Sequence, residues 1–394
     1  MTLTLTGGQI WDGLAATATP GSLTTSATTI GQPDSSNDDR AAQGGDPIDV
    51  SGCTIIPGLI EAHAHLCFNA QPNWRETYDA DSPERLLLRM AAAAASMLQA
   101  GITTVRDLGA PTGLAIELRD AIRDGLTPGP DLLVAGAPIT TTGGHCWFLG
   151  GEADGELRIR VRVRELAKSG VDWIKVMATG GNMTPGTNVN EPQYSLAELR
   201  AIVDEAARLG LRVAAHCHGT PGIRHAAEAG VATIEHCSFR TEDGLILDEE
   251  VAALIAERGV AVSPTVHSGY LRGPDSPVHD QRMEVAAGIL RAGCEVIMST
   301  DCGIPGTPHD VLPRSIAVWA DQTGTTPVDA LASATSRSAR VLGLHDRGSL
   351  EPGKRADFLV VEGNPLDDLT ALQDVRLVVQ GGQIVRNSLS EMGS

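Results

Sequence analysis

Residues 54–65 read TIIPGLIEAHAH, an apolar, β-rich run that ends in two histidines. Seven similar runs follow, and stretches rich in Ala, Leu and Arg separate them. The eight runs cover residues 54–65, 103–108, 132–139, 173–179, 212–218, 233–238, 261–266 and 295–301. Alternating strand and helix units of this number fit a (β/α)8 TIM barrel, an α/β fold of roughly 250 residues.

The stretches between the runs carry helix signals. Ser195 stands three residues before Glu198 at the start of SLAELRAIVDEAARLG, which predicts a capping box. The segment RIRVRVREL alternates like a strand, but its place between the third and fourth runs favours a barrel helix. An open, doubly wound sheet is the alternative fold, because a strand count does not show closure. The first run is not followed by GxGxxG, the glycine motif of dinucleotide-binding doubly wound folds, so this motif does not support the alternative fold.

The two chain ends have a different pattern. Residues 1–52 hold short β-rich runs around a stretch rich in Ser, Thr, Gly and Asp, and residues 347–394 contain RADFLVV and RLVVQGGQIV. Neither end has enough strands to be stable alone. We therefore expect a small composite β-sandwich domain built from both termini, 1–52 plus 347–394, beside a barrel at 53–346. The polar stretch 16–45 is alternatively a disordered linker.

Composition excludes several classes of protein. The 394 residues include 30 Lys and Arg against 49 Asp and Glu, and the net charge of −19 disfavours nucleic-acid and anionic membrane partners. Apolar runs stay shorter than the roughly 20 residues of a membrane span, and MTLTLTGGQIWDG does not resemble a signal peptide. We expect a cytoplasmic protein. The seven cysteines form no CxxC pair, which predicts reduced thiols.

Residues that can bind a metal ion stand at the ends of five of the eight runs. His63 and His65 close the first run, and strand side chains that are two residues apart point to the same face. The candidates in the other runs are Lys175, His216, His236 and Asp301. Barrel active sites are built at these strand ends, and buried polar groups are costly without partners. The pattern therefore predicts a metal site.

Six segments, in their order along the chain, resemble motifs of the metal-dependent amidohydrolase superfamily. They are PGLIEAHAH, IKVMATGG, AAHCHG, IEHCS, STDCG and GSLEPGKRADFLVVEGNPL. The similarity lies in the branch of imidazolonepropionase-like enzymes and Xaa-Pro dipeptidases, and it covers nearly the whole chain. It implies a barrel with a composite β-sandwich. It also implies an N6-carboxylated Lys175 that bridges two divalent metal ions, usually zinc. His63, His65 and Asp301 would bind the first ion, and His216 and His236 the second.

The resemblance implies a binuclear hydrolase that cleaves an amide or carbamate C–N bond of a small molecule: an N-acyl amino acid, a dipeptide or an apolar amide. A bridging hydroxide would attack the carbonyl, since metal coordination lowers the pKa of water to roughly 7. Asp301 would be the general acid and base. The alternatives are an unmodified Lys175 beside one metal, a single-metal cyclic-amide hydrolase or deaminase of the imidazolonepropionase type, and a silent scaffold. We also expect a homo-oligomer.

Loops after the strands supply the expected substrate contacts. The resemblance implies that His145 in TTTGGHCWFLGGE and Tyr194 in NEPQYS contact the substrate's acid or carbonyl group. His218 is expected to face the substrate or to support a ligand. Trp147 and Phe148 are conspicuous because aromatic residues make up only 3% of the chain. They predict an apolar substrate group or a cover over the barrel mouth, and they argue against simple Xaa-Pro dipeptide specificity.

Several further residues are weaker candidates. His267 and His309 follow the seventh and eighth runs. Cys217, Cys237 and Cys302 adjoin the expected ligands, but strand alternation turns them to the opposite face, where small packing residues are expected.

Overall fold

The computed structural model describes residues 2–32 and 46–391, and it confirms the α/β class. Within these ranges the strands are β1 (Thr4–Thr6), β2 (Gln9–Ile10), β3 (Thr19–Pro20), β4 (Leu23–Ser26), β5 (Thr29–Ile30), β6 (Ile48–Asp49), β7 (Cys53–Pro57), β8 (Leu59–Ala64), β9 (Ile102–Asp107), β10 (Asp131–Val134), β11 (Trp173–Met177), β12 (Arg212–Gly219), β13 (Thr233–Thr241), β14 (Gly244–Leu245), β15 (Ala261–Ser263), β16 (Phe358–Glu362), β17 (Val375–Gln380) and β18 (Gln383–Asn387). The α-helices are α1 (Trp74–Ala80), α2 (Pro83–Gln99), α3 (Thr112–Arg123), α4 (Gly155–Ser169), α5 (Leu196–Arg208), α6 (Thr220–Ala229), α7 (Glu249–Glu257), α8 (Ser268–Leu271), α9 (His279–Arg291), α10 (Leu312–Thr323), α11 (Pro327–Ser333) and α12 (Ser336–Leu342).

Eight segments pair in parallel around a closed circuit, which we call the strand ring. Strand β9 lies between β8 and β10, and β11, β12, β13 and β15 follow one another in a second sheet. Isolated parallel bridges complete the circuit between Ile139 and Val176, between Val262 and Val296, and between Ala64 and Cys302. The eighth segment, 295–301, therefore takes part through bridges and not as a regular strand. This order of pairing is the one that a (β/α)8 barrel has.

The run 54–65, predicted as one strand, is two strands that belong to different sheets. Strand β7 pairs with β16 and β2, whereas β8 pairs with β9 in the strand ring. Gly58 separates them, and a Cβ there would lie 2.1 Å from Thr103 Oγ1. Only glycine allows this close approach of the backbone. The sheet of the chain ends therefore continues to Pro57, beyond the predicted boundary at residue 52.

Both chain ends contribute to two mixed sheets. The strand orders are β18-β17-β16-β7-β2-β3 and β5-β4-β1-β6. The sheets share one buried apolar cluster, to which Leu5 and Leu23 contribute from one sheet and Ile55, Phe358 and Leu377 from the other. Because β3, β4 and β5 lie within the stretch that could have been a linker, this part of it is structured. The remainder of that stretch, 33–45, lies outside the described residues.

The helix predictions agree with the structure. Ser195 Oγ accepts a hydrogen bond from the Glu198 backbone N–H, and the Glu198 side chain accepts one from the Ser195 N–H, so the capping box forms. The RIRVRVREL segment lies in α4, as predicted. Within 2–32 and 46–391, the helices are too short or too polar to cross a bilayer.

A chain that ends at residue 346 should fail to fold cooperatively, because it lacks β16, β17 and β18. Strand β7 would lose its antiparallel partner, and Ile55 would lose the apolar surface of Phe358. Size-exclusion chromatography and thermal melting by circular dichroism measure this. A chain that ends at Asn387 keeps every described strand and is the matched control. A monodisperse, cooperatively melting 1–346 fragment would contradict the joint role of the chain ends.

Candidate metal centre

The strand ring ends in a buried cavity of about 120 Å³ that contains all the side chains predicted to bind metal. These predicted ligands are His63, His65, Lys175, His216, His236 and Asp301. The structure also brings His145, His218 and His267 to this cavity. Residues far apart in the chain therefore meet at one end of the strand ring, as the positions of the runs predicted.

Within the described residues, the possible ligand atoms form two groups, each with its atoms within 4.8 Å of one another. The first group is His63, His65 and Asp301, and the second is His216, His218 and His236. Asp301 Oδ1 lies 3.5 Å from His63 Nε2 and 3.2 Å from His65 Nε2. Zinc is commonly bound by three protein side chains that supply nitrogen or carboxylate oxygen atoms. Each group can therefore hold a divalent cation.

The outer ring nitrogen of each predicted histidine ligand faces a group of the protein. The pairs are His63 Nδ1 with Glu235 Oε2 at 2.9 Å, His65 Nδ1 with Gly109 O at 3.1 Å, His216 Nε2 with Gly180 O at 3.1 Å and His236 Nδ1 with Thr265 Oγ1 at 2.9 Å. Such contacts hold a proton on the outer nitrogen, so the inner nitrogen keeps its lone pair. The inner nitrogens of His216 and His236 lie only 2.8 Å apart. Two facing lone pairs repel unless a cation lies close, so the geometry fits a metal ion.

Burial and neighbouring charges give these side chains the protonation states that metal binding needs. Burial, with a contribution from the charge of Lys175, lowers the pKa of His63 to about 4. Burial likewise holds the pKa values of His216 and His236 well below the ordinary range. Although burial alone would raise the pKa of Asp301, the nearby histidines hold it at about 2. Near neutral pH His63, His216 and His236 are therefore neutral and Asp301 is ionised. His65 differs, because burial alone would lower its pKa but the contact with Asp301 raises it above the ordinary value.

Lys175 places a buried amine in the cavity. Its side chain is buried, and Nζ has no hydrogen-bond partner among the described residues. Burial lowers the pKa of this amine to about 8, against the opposing effect of Glu235 and Asp301. A buried ammonium without a partner is costly, so the site favours a chemical form of Lys175 other than the free cation.

The sequence analysis missed Glu235, which positions His63. The Glu235 side chain is fully buried; Oε2 accepts a hydrogen bond from His63 Nδ1 at 2.9 Å, and Oε1 accepts one from Arg106 Nη2 at 3.0 Å. The signal was present in the sequence, since an acidic residue directly precedes His236 inside an apolar run. A second-sphere carboxylate of this kind fixes the tautomer and the orientation of a histidine ligand.

A left-handed backbone breaks the strand alternation at the site. His236 has φ 68° and Cys237 has φ 49°, so Glu235 and His236 both reach the site although they are consecutive. Cys237 is fully buried in the apolar core, which agrees with the expected packing role, and it also lines a neighbouring cavity. Thr265 and Asp301 also have positive φ, at 51° and 58°. Such conformations cost about 1–3 kcal/mol each and cluster at functional sites.

The predicted substrate contacts have different outcomes. His145 lines the cavity, with its ring centroid 4.6 Å from that of His216, and its Nδ1 has no partner in the described part of the chain. His218 lines the cavity as a member of the second ligand group. Among the described residues that line this cavity, neither Tyr194 nor Trp147 is present. The Tyr194 hydroxyl donates to Ala153 O at 2.7 Å, and Trp147 is 43% exposed, so neither contacts the centre.

Phe148, next to Trp147, belongs to an aromatic cluster near the centre. Its ring centroid lies 6.4 Å from Phe68, 5.8 Å from Trp74 and 5.7 Å from Tyr78. The Phe68 ring lies 5.6 Å from that of His65 and lines the cavity. This arrangement agrees with the expectation of an aromatic cover. The weaker candidate His309 contacts His65 O through Nε2 at 3.2 Å.

Glu235→Gln should lower the affinity for zinc about 10- to 100-fold, because it removes the charge that orients His63 and balances Arg106. Competition with a chromogenic chelator measures the affinity, and thermal melting shows whether the variant is folded. Glu257→Gln, at the exposed end of α7, is the matched control and should bind zinc like the unaltered protein. Unchanged zinc affinity in a folded Glu235→Gln protein would show that Glu235 does not position the ligand.

Comparisons with known proteins agree with this geometry. Residues 54–385 match the Amidohydrolase family. The chain is 30% identical over 378 residues to ochratoxinase of Aspergillus niger, covering 84% of this chain and 75% of that protein. It is 29% identical over 330 residues to imidazolonepropionase of Cutibacterium acnes, covering 79% and 76%. A Xaa-Pro dipeptidase solved with methionine in its active site superposes with a TM-score of 0.87 at 27% identity, covering 98% and 100%. The chain belongs to the amidohydrolase family and is a hydrolytic enzyme that acts on C–N bonds.

Proposed function

We propose that this protein is a binuclear metal hydrolase that cleaves an amide bond of a small molecule at the mouth of a (β/α)8 barrel. The observation that carries the proposal is the pair of three-residue ligand groups beside one buried amine. Burial is the main cause of the low pKa values of His63 in the first group and His216 in the second, and the charge of Lys175 contributes to both. A single metal ion would leave one of the groups without a function.

The donor sets define which residues would hold each ion. His63, His65 and Asp301 would bind one ion, and His216 and His236 the other, with Lys175 common to both. His218 remains the substrate-facing member of its group. Two divalent ions, most often zinc in this family, would polarise the scissile carbonyl and make water a nucleophile near neutral pH. The inward lone pairs of the histidines support this assignment.

Carboxylation would resolve the uncompensated charge of Lys175. The pKa of about 8 leaves part of the amine neutral near neutral pH, which is the form that reacts with CO₂. The new N–C bond forms as a proton leaves the nitrogen, and the product is an anionic carbamate. An anion between two cations is favourable, whereas an ammonium there would be repelled.

Proton transfer is assigned to Asp301. Its pKa of about 2 keeps the carboxylate ionised, so it can accept a proton from the attacking water and pass it to the departing amine. His145 lines the same cavity with a free Nδ1, which supports a hydrogen bond to the substrate's carbonyl oxygen. Burial of the cavity limits competing water and strengthens these interactions.

The second candidate is a cyclic-amide hydrolase or deaminase with one metal, which the similarity to imidazolonepropionase favours. An assay of the zinc-loaded protein on N-acyl amino acids, Xaa-Pro dipeptides, anilides, carbamates and cyclic amides separates the two. We expect cleavage of an acyclic amide, with Lys175→Ala inactive as the blank. Activity on cyclic amides alone would overturn the first proposal in favour of the second.

Asp301→Asn should keep most of the bound metal while kcat falls about 10²- to 10⁴-fold, since the amide cannot relay the proton. Metal content by mass spectrometry and steady-state kinetics on the same sample separate the two effects. Asp310→Asn, a nearby carboxyl that does not line the cavity within the described residues, is the control. An unchanged kcat in the Asp301→Asn enzyme would remove Asp301 from the proton relay.

A further inference from the structure

A second cavity, of about 250 Å³, adjoins the metal centre, and we call it the side pocket. Its lining residues come mainly from β13, β15, α9 and the segments between them. Four residues line both cavities: Asn182, His218, His236 and His267. A molecule that reacts at the metal centre can therefore extend one of its groups into the side pocket.

The inner part of the side pocket is apolar. Val262, Val285, Ile289, Val296 and Trp319 line it, and all five are buried. An apolar cavity of about 150 Å³ suffices to bind benzene. The side pocket therefore has room for a side chain of the size of leucine, methionine or phenylalanine, and its lining favours such a group over a polar one.

Arg240, at the end of β13, supplies an uncompensated positive charge to the pocket wall. Within residues 2–32 and 46–391, its guanidinium has neither an ion pair nor a hydrogen bond, although Glu242 lines the same pocket. Arg282, the other arginine there, donates instead to Gly269 O at 2.9 Å and lies 4.8 Å from the Tyr270 ring. Burial is the main cause of the low pKa of His218, and the charges of His145 and Arg240 lower it further. Arg240 therefore acts on a residue that lines both cavities.

We propose that the side pocket binds the amine half of the substrate, an amino acid with a large apolar side chain whose carboxylate pairs with Arg240. This inference rests on the proposed function and specifies its substrate class: N-acyl or N-aminoacyl derivatives of large apolar amino acids. A guanidinium matches a carboxylate in charge and in bidentate geometry. The apolar lining accepts the side chain, while the scissile amide remains at the metal centre.

Kinetics with matched substrates test the role of Arg240. N-acetyl-L-phenylalanine and N-acetyl-L-phenylalaninol carry the same amide, but only the first has a carboxylate. Arg240→Gln should lower kcat/KM for the acid about 10- to 100-fold more than kcat/KM for the alcohol, which has no carboxylate to pair with the guanidinium. Arg258→Gln, which removes an exposed arginine beyond α7, is the matched control and should affect neither substrate. Equal losses on both substrates, or no loss on the acid, would overturn the inference.

Ala286, a buried residue of α9 that lines the side pocket, tests the apolar part. Ala286→Leu fills the pocket and should lower kcat/KM for N-acetyl-L-phenylalanine about 10-fold or more while sparing N-acetyl-L-alanine. Thermal melting shows whether the variant is folded. Parallel losses on both substrates in a folded variant would contradict the pocket assignment.

Calorimetry of product binding separates this inference from the proposed function. L-Phenylalanine should bind the zinc-loaded protein more tightly than L-phenylalaninol, and Arg240→Gln should abolish the difference. Arg240-dependent binding without cleavage of any amide would uphold the side pocket and reject the proposed function. Amide cleavage with product binding that does not depend on Arg240 would uphold the function and reject the side pocket.

Discussion

The fully buried carboxylate of Glu235 links three strands of the strand ring beside the candidate metal centre. Glu235 lies on β13 and accepts hydrogen bonds from Arg106 on β9 and from His63 on β8. Removing one partner of such a buried pair leaves an uncompensated charge, at a cost of about 3–5 kcal/mol. The orientation of His63, and with it the first ligand group, depends on this contact. The Arg106 guanidinium in turn lies 4.5 Å from the ring of Trp173, which precedes Lys175 by two residues on β11.

The second constraint is the charge of the cavity itself. Burial keeps His63, His216 and His236 neutral near neutral pH. Asp301 is ionised and, against the effect of burial, raises the pKa of His65, while Lys175 is partly cationic. Inward-facing nitrogen lone pairs and an amine without a partner are unfavourable in a dry cavity. Two divalent cations would bind the nitrogen lone pairs, and a carbamate on Lys175 would replace the amine by an anion that the cations attract. The two changes would therefore stabilise each other.

Strand periodicity explains what could be predicted from the sequence. Alternation predicted that His63 and His65 share a face, and their Nε2 atoms lie 3.3 Å apart. The same rule failed at Glu235 and His236, which are consecutive but both reach the site, because the left-handed backbone at His236 interrupts the alternation. The sequence pattern does not predict this backbone conformation. Residues 54–65 were wrongly predicted as one strand because β7 and β8 are both fully buried, so their apolar residues continue across Gly58 without a break.

The contacts of the loop residues and the lining of the side pocket bring together residues that are far apart in the sequence. Local sequence patterns therefore do not predict them. The motif around Tyr194 predicted a substrate contact, but the Tyr194 hydroxyl is already engaged by Ala153, a residue 41 positions away. The side pocket forms where α9 packs against β13 and β14, so its lining comes from separate parts of the chain. Arg240 carried no signal in the sequence, because only the structure shows that its charge lacks a partner among the described residues.

Anomalous diffraction from crystals of the zinc-loaded protein tests whether Lys175 lies between two metal ions, as proposed. Data collected on both sides of the zinc absorption edge locate the ions, and the ordinary density shows the state of the Lys175 amine. A binuclear centre should give two anomalous peaks, one beside His63, His65 and Asp301 and one beside His216 and His236. The ordinary density should show a carboxylate on Lys175 Nζ. A single peak beside an unextended lysine would contradict the proposal.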